Sequence, residues 1–214
     1  MTVATRPARY GVEAGRIAPA LIAHWVVKST RRTELIDWYG QVFGARVVHD
    51  DGQVTFLTWD DESHRLAIVS VPTVVRYLFP FAKLRRKVLG LDHIAFTVPT
   101  LEGLLEDYVR LKRQGIRPVW AINHGPTISL YYEDPDGVRL EFQVENFPTP
   151  EETAEFFSSN EFSENPIGVN IDPDYLLSQL RNGATQQSLR RREAGVRPGR
   201  KIVANKKTLN FRTL

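Results

Sequence analysis

The chain has 214 residues, 42% hydrophobic and 25% charged, the balance of a globular protein with room for one ordinary core. It has no cysteine, which excludes disulfides, thiolate metal sites and cysteine nucleophiles, and no apolar run long enough to cross a bilayer. The formal net charge is +3, but from Gly183 to Leu214 nine Lys or Arg face one acid, a local net of +8 that leaves −5 for the rest. The basicity therefore belongs to a tail, and nucleic acid is not the expected partner. No secretory hydrophobic region opens the chain, so a cytoplasmic protein without a membrane partner is expected.

In chain order, the first organised stretch is "AHWVVKSTRRTELIDWYGQVFG", starting at Ala23. It holds a histidine, a short apolar strand and then a helix. Leu35, Trp38, Tyr39, Val42 and Phe43 recur at helical spacing until Gly44 stops it. Strand-like runs follow and end in "RLAIV", Arg65 to Val69. Residues 73–89 read as a linker, apolar and aromatic in its first half ("VRYLFPF"), forming a lid or a helical crossover.

From Asp92 the pattern returns in "DHIAFTVPTLEGLLEDYVRLKRQG". Again a histidine sits one residue in. Leu101, Leu104, Leu105, Tyr108 and Leu111 form the helical stripe, with Thr100 as N-cap and Gly115 as stop. Then comes "INHGPTISLYYEDPDGVRLEFQVEN", two alternating runs around the turn formers Asp134, Pro135, Asp136 and Gly137. One face of this hairpin carries Thr127, Ser129, Tyr131, Arg139, Glu141 and Gln143, and the other is apolar.

Each module thus reads β-α-β-β-β, and the repeat predicts an α+β fold in which two modules form a cupped mixed sheet. The expected organisation is an arm over 1–16, a domain over 17–147 (modules 17–72 and 90–147 around the linker) and a helical extension with a basic tail over 148–214. In that extension Phe156-Phe157 and Tyr175-Leu176-Leu177 are expected to pack against a neighbouring subunit, in a homodimer or larger homo-oligomer.

Aligning Arg65-Leu66 with Arg139-Leu140 makes His24 equivalent to His93 and puts Ala67 opposite Glu141. Under pseudo-twofold symmetry, two histidines and one carboxylate meet in the cup, with the fourth corner empty. That donor set suits a ferrous ion with positions left open for substrate and dioxygen.

On these residues the chain resembles the vicinal oxygen chelate superfamily: glyoxalases, bleomycin and fosfomycin resistance proteins, epimerases and type I extradiol ring-cleaving dioxygenases. The resemblance runs from about Ile17 to Phe147 and is strongest to the dioxygenases. "HWVV", "LDHIAF" and "RLEF" look like the strands carrying that family's iron ligands, which implies His24, His93 and Glu141. "DESHRLA" resembles the segment with the acid-base histidine, implying His64. "NHGPTISLYYEDPDG" resembles the stretch that supplies His124 and the substrate-bonding Tyr131. The resemblance implies an Fe(II) dioxygenase (with Mn, Zn, Ni or Co as alternative metals) acting on a small aromatic or enediol substrate and O2.

This chain has two modules where many such enzymes have four, and its extension is longer than the fold requires. His64 lies three residues before Ala67, so it reaches the cup only if the turn over 60–63 re-aims it. Trp25, Phe56, Trp59 and Trp120 are candidate apolar walls, and His49 is expected to be solvated. A non-redox lyase, isomerase or epimerase remains an alternative, although such enzymes commonly use a carboxylate from each module and Ala67 lacks one. A metal-free binding protein is a third reading.

Overall fold

A computed structural model describes residues 21–78 and 90–199. The arm, most of the linker and the end of the basic tail lie outside the described residues. The first module is β1 (Trp25–Ser29), α1 (Arg32–Phe43), β2 (Arg46–Asp50), β3 (Val54–Thr58) and β4 (Leu66–Ser70). A short helix, α2 (Val74–Leu78), begins the linker. The second module is β5 (His93–Thr97), α3 (Leu101–Arg113), β6 (Trp120–Asn123), β7 (Thr127–Glu133) and β8 (Arg139–Glu145).

The helices form where the periodicity predicts them, and for the expected reasons. Leu35, Tyr39 and Val42 are the buried stripe of α1, and Gly44 closes it in the left-handed conformation at φ 67°. In α3 all five apolar positions are buried, and Thr100 accepts a hydrogen bond from the Gly103 amide, a cap worth about 1 kcal/mol.

Among the described residues the strands make two mixed sheets and no closed barrel, in the orders β1-β4-β3-β2 and β5-β8-β7-β6, the second extended by β9 (Val169–Asn170). In each module the first and last strands pair in parallel with the same register. Val26 lies beside Ala67 as Ala95 lies beside Glu141, so the repeat seen in the sequence is a repeat in space.

The modules meet along an aromatic seam. Phe43 stacks on Trp59 with ring centroids 4.3 Å apart, and touches Phe96 at 5.0 Å and Phe142 at 5.2 Å. Edge strands β1 and β5 approach through Trp25 and Phe96, 5.7 Å apart. Trp25 and Trp59 therefore belong to the core between modules and are not walls of the cup. Polar contacts pin the seam: Tyr39 donates to Asp134 at 3.2 Å, and Arg31 to the Pro135 carbonyl at 2.8 Å.

The extension is helical, as expected, but Leu176 and Leu177 pack elsewhere than expected. It folds as α4 (Pro150–Phe157), α5 (Asn160–Glu164), α6 (Pro173–Arg181) and α7 (Gln186–Leu189); Phe156 and its leucines turn inward, while Phe157 stays half exposed. Leu176, Leu177 and Leu189 join the same buried cluster as α1 and α3 instead of waiting for a neighbouring subunit. Each such leucine contributes about 1.5–3 kcal/mol by burial, which makes the extension part of the core. Among the described residues no helix is long and apolar enough to cross a membrane.

Candidate active site

The β7–β8 hairpin fixes one half of the site by register. Tyr131 pairs with Glu141 and Ser129 with Gln143, so these side chains share one face. Gly137 closes the turn at φ 80°, and its amide donates to the Asp134 carbonyl at 2.8 Å. On the far side of β8, β5 brings His93 next to Arg139, within reach of Glu141. On the far side of β7, Trp120 lies opposite Tyr131 and stacks on it at 4.8 Å, so it lines the same face.

Four of the expected site residues, His93, Glu141, Tyr131 and His124, then form a continuous contact chain. His93 Nε2 is 2.9 Å from Glu141 Oε2, and Nδ1 is 2.7 Å from Asp92. The hydrogen bond to Glu141 raises the His93 ring, burial opposes it and Asp92 adds to it, so its pKa reaches about 9. At neutral pH both ring nitrogens therefore carry protons and donate. For Glu141, burial pushes the carboxyl up, but hydrogen bonds from His93, Ser129 and Tyr131 outweigh it and hold the acid below its ordinary value. The group is an ion although only 4% of it is exposed.

His124 follows at the rim, where its Nδ1 faces the carbonyl of Ile167. A carbonyl only accepts, so Nδ1 carries the proton and Nε2 offers a lone pair. Burial lowers the His124 pKa against the opposing carbonyl bond, which keeps the ring neutral at pH 7. Its Nε2 lies 3.0 Å from the Tyr131 hydroxyl. Burial and then the Glu141 charge raise the Tyr131 phenol well above its usual range, so it stays protonated. It has one proton and two acceptors, His124 Nε2 and the Glu141 carboxylate. Gly125 lets His124 sit there: its φ is 104°, and a Cβ would lie 2.3 Å from the Phe156 ring.

The other half of the face belongs to module one. Phe56 pairs with Ala67, whose neighbour on β1 is Val26. His64 lies over this face, 4.7 Å from the Phe56 ring and 4.4 Å from the ring of His24. The turn does re-aim it. Thr58 donates to the Glu62 carbonyl, Asp60 accepts from the Glu62 amide, and Arg65 holds Asp60 at 2.9 Å. His49 pairs with Phe56 on the same face, half exposed beside Asp51.

The expected site residues thus fall into two clusters, His93–Glu141–Tyr131–His124 and His24–His64. Among the described residues no group of three or more His, Asp or Glu side chains is close enough together to hold a metal ion. The donor pair of the second module nevertheless fits one. Its 2.9 Å separation is that of adjacent ligands on one ion, roughly 3 Å for bonds of about 2.1 Å. Asp92 on the other nitrogen is the kind of partner that orients a metal-ligating imidazole. Asp92 itself was legible as an acid preceding His93 where the repeat has Ala23.

Paired βαβββ modules whose first and last strands pair in one register define a two-module fold. The chain belongs to the glyoxalase/bleomycin resistance protein/dioxygenase superfamily, whose family model matches residues 22–142. Among curated relatives it is 40% identical to biphenyl-2,3-diol 1,2-dioxygenase 2 of Rhodococcus globerulus over 161 residues, 75% of this chain and 82% of that protein. It is 36% identical to biphenyl-2,3-diol 1,2-dioxygenase 3 of the same organism over 168 residues, covering 78% and 86%. Among solved structures, lactoylglutathione lyase from Agrobacterium tumefaciens matches 59% of this chain and 94% of its own, at 18% identity and a TM-score of 0.44.

Proposed function

We propose that this chain is an Fe(II)-dependent extradiol-type dioxygenase that opens the ring of a catechol-like aromatic diol with O2. The observation that carries the reading is the Glu141 cluster. A buried ionised carboxylate touches one imidazole, and a protonated tyrosine links it to a neutral second imidazole. The similarity to two dioxygenases named for biphenyl-2,3-diol supports the class and makes that diol the first substrate to try. Ala67, standing where a second carboxylate would be, favours ring cleavage over the lyase and epimerase chemistries that use one from each module.

In this reading His93 and Glu141 would hold the ion, with His24, the residue before edge strand β1, as third ligand. A ferrous ion so held would supply a Lewis acid for the diol and a place for dioxygen. The residues of the chain do the rest. Tyr131 and His124 orient a substrate oxygen, the tyrosine by its hydroxyl and the histidine by its Nε2 lone pair. His64, on the facing half, takes a proton from the substrate hydroxyl and returns it to the product oxygen. Phe56 and Trp120 present aromatic surface to the ring, and their cover excludes water.

The test is oxygen uptake by the iron-reconstituted protein with 2,3-dihydroxybiphenyl. One O2 should be consumed per ring opened, with both atoms appearing in the product. Turnover of a hemithioacetal or an epimerisable substrate with Zn or Ni, and no oxygen uptake with any catechol, would sink the reading.

A further inference from the structure

Apart from the residues assigned to chemistry, a cavity of about 960 Å³ opens between α4, the turn at Phe147 and Pro148, and the segment from Gln187 to Ala194. That volume is in the range of small-molecule sites, roughly 300–1,000 Å³. Its lining includes Gly125, next to His124, but not His24, His64, His93, Tyr131 or Glu141.

Its polar wall is built and incompletely paired. Arg190 Nε, Arg192 Nε and Asn146 Oδ1 are buried without a hydrogen-bond partner. They are three of only six such side-chain atoms among the described residues, and all three belong to residues lining this one cavity. Buried donors and acceptors are almost always satisfied, so this concentration marks a wall whose polar groups the chain does not fully pair. The arginines are held in place. Arg192 is 9% exposed, lies over the Phe156 ring at 5.5 Å and donates to the carbonyls of His124 and Asn165. Asn123 donates to the carbonyls of Arg190 and Arg191 at 3.0 and 3.2 Å, fixing the backbone that bears them.

The lining also selects the ligand. Three arginines face three glutamates, Glu152, Glu161 and Glu193, and Arg192 is already paired with Glu161 at 3.4 Å. A multiply charged anion such as phosphate would meet those carboxylates, whereas a single carboxylate needs only one guanidinium fork. Phe147 and Phe156, with rings 5.5 Å apart, give an aromatic wall for a planar apolar body. We infer that this cavity binds a small aromatic monocarboxylate, its carboxylate on Arg190 and its ring against Phe147 and Phe156.

Benzoate is the probe, titrated calorimetrically into the full chain beside benzamide and inorganic phosphate. Benzoate should bind saturably and at least about tenfold tighter than either, and Arg190→Gln should weaken it by at least about tenfold. Tyr131→Phe, which alters the proposed active site, should leave benzoate binding unchanged. Should Arg190→Gln not fold, amide shifts in wild-type protein decide: benzoate should move Phe147, Phe156 and residues 190–194. No saturable binding, tighter binding of phosphate, insensitivity to Arg190→Gln, loss in Tyr131→Phe, or shifts centred on His93 and Glu141 would each overturn the inference.

Discussion

The turn that carries Tyr131 and Glu141 past each other rests on a buried acid, and Asp134→Asn tests that support. Asp134 is 4% exposed. Its carboxylate accepts from the amides of Asp136 and Val138 at 2.9 and 2.8 Å, and from Tyr39 across the module seam at 3.2 Å. Burial drives its carboxyl up to about 6, with the backbone bonds pulling the other way and the charge of Asp136 adding to the rise. The folded chain therefore holds this proton more tightly than the unfolded chain does. The stability so gained is complete below about pH 4 and is lost as pH rises through about 6. The gap between about 6 and the ordinary 3.8 corresponds to about 3 kcal/mol once the group is ionised. An asparagine keeps a carbonyl for the two amides and carries no charge. Its advantage over wild type should grow from near zero at about pH 4 to about 3 kcal/mol at about pH 8, or roughly 6–12 °C in Tm. Paired thermal unfolding across that range is the assay, because the other titrating groups cancel in the difference. A difference that stays flat, or turns against the variant as pH rises, refutes the account.

His64→Ala should keep its iron and bind the diol anaerobically, yet turn over roughly 10² to 10⁴ more slowly; loss of iron would make His64 a ligand instead. His93→Ala and Glu141→Ala should each bring iron content to background in metal analysis, while Asp92→Asn should weaken affinity by roughly 10–100-fold. Tyr131→Phe should retain iron and lose roughly 10-fold or more in kcat, the worth of one hydrogen bond to a charged partner and less than the His64 defect. Ending the chain at Asn182 removes Leu189 and the carbonyls that hold Asn123, so unfolding should move down by several degrees; an unchanged Tm would contradict the packing of the extension.

Both modules were legible in the sequence because period and repeat are local signals. Leu35 and Tyr39, or Leu104 and Leu111, announce a helix without knowledge of what they touch. The facing of Tyr131 and Glu141 was legible too, since strand parity and the Asp134–Gly137 turn fix it together. The extension was legible as helical, but its packing was not. Leu176 and Leu189 carry no mark that distinguishes burial in their own core from burial against another copy, and β9 is two residues long. The aromatic seam was hidden for the same reason: Trp25 and Trp59 read equally well as pocket walls, and only the packing of Trp59 on Phe43 and of Trp25 on Phe96 decides. Arg192 reaches His124 and Asn165 over separations that no local pattern encodes.

What the repeat leaves unequal bears on the proposed chemistry. The two modules share one register, yet the place occupied by Glu141 in one is Ala67 in the other, and Tyr131 has no partner hydroxyl beside Phe56. A second carboxylate facing Glu141 would raise one of the two acids by like-charge repulsion and compete for the His93 proton. With a divalent ion, two carboxylates would leave the centre neutral, whereas Glu141 alone leaves it a net positive charge. On the proposed reading that charge is what a diol needs, because it binds most tightly after losing a proton. The half without a carboxylate is then free to place His64 and Phe56 over the ring, an imidazole and an apolar wall that a charged neighbour at position 67 would disturb.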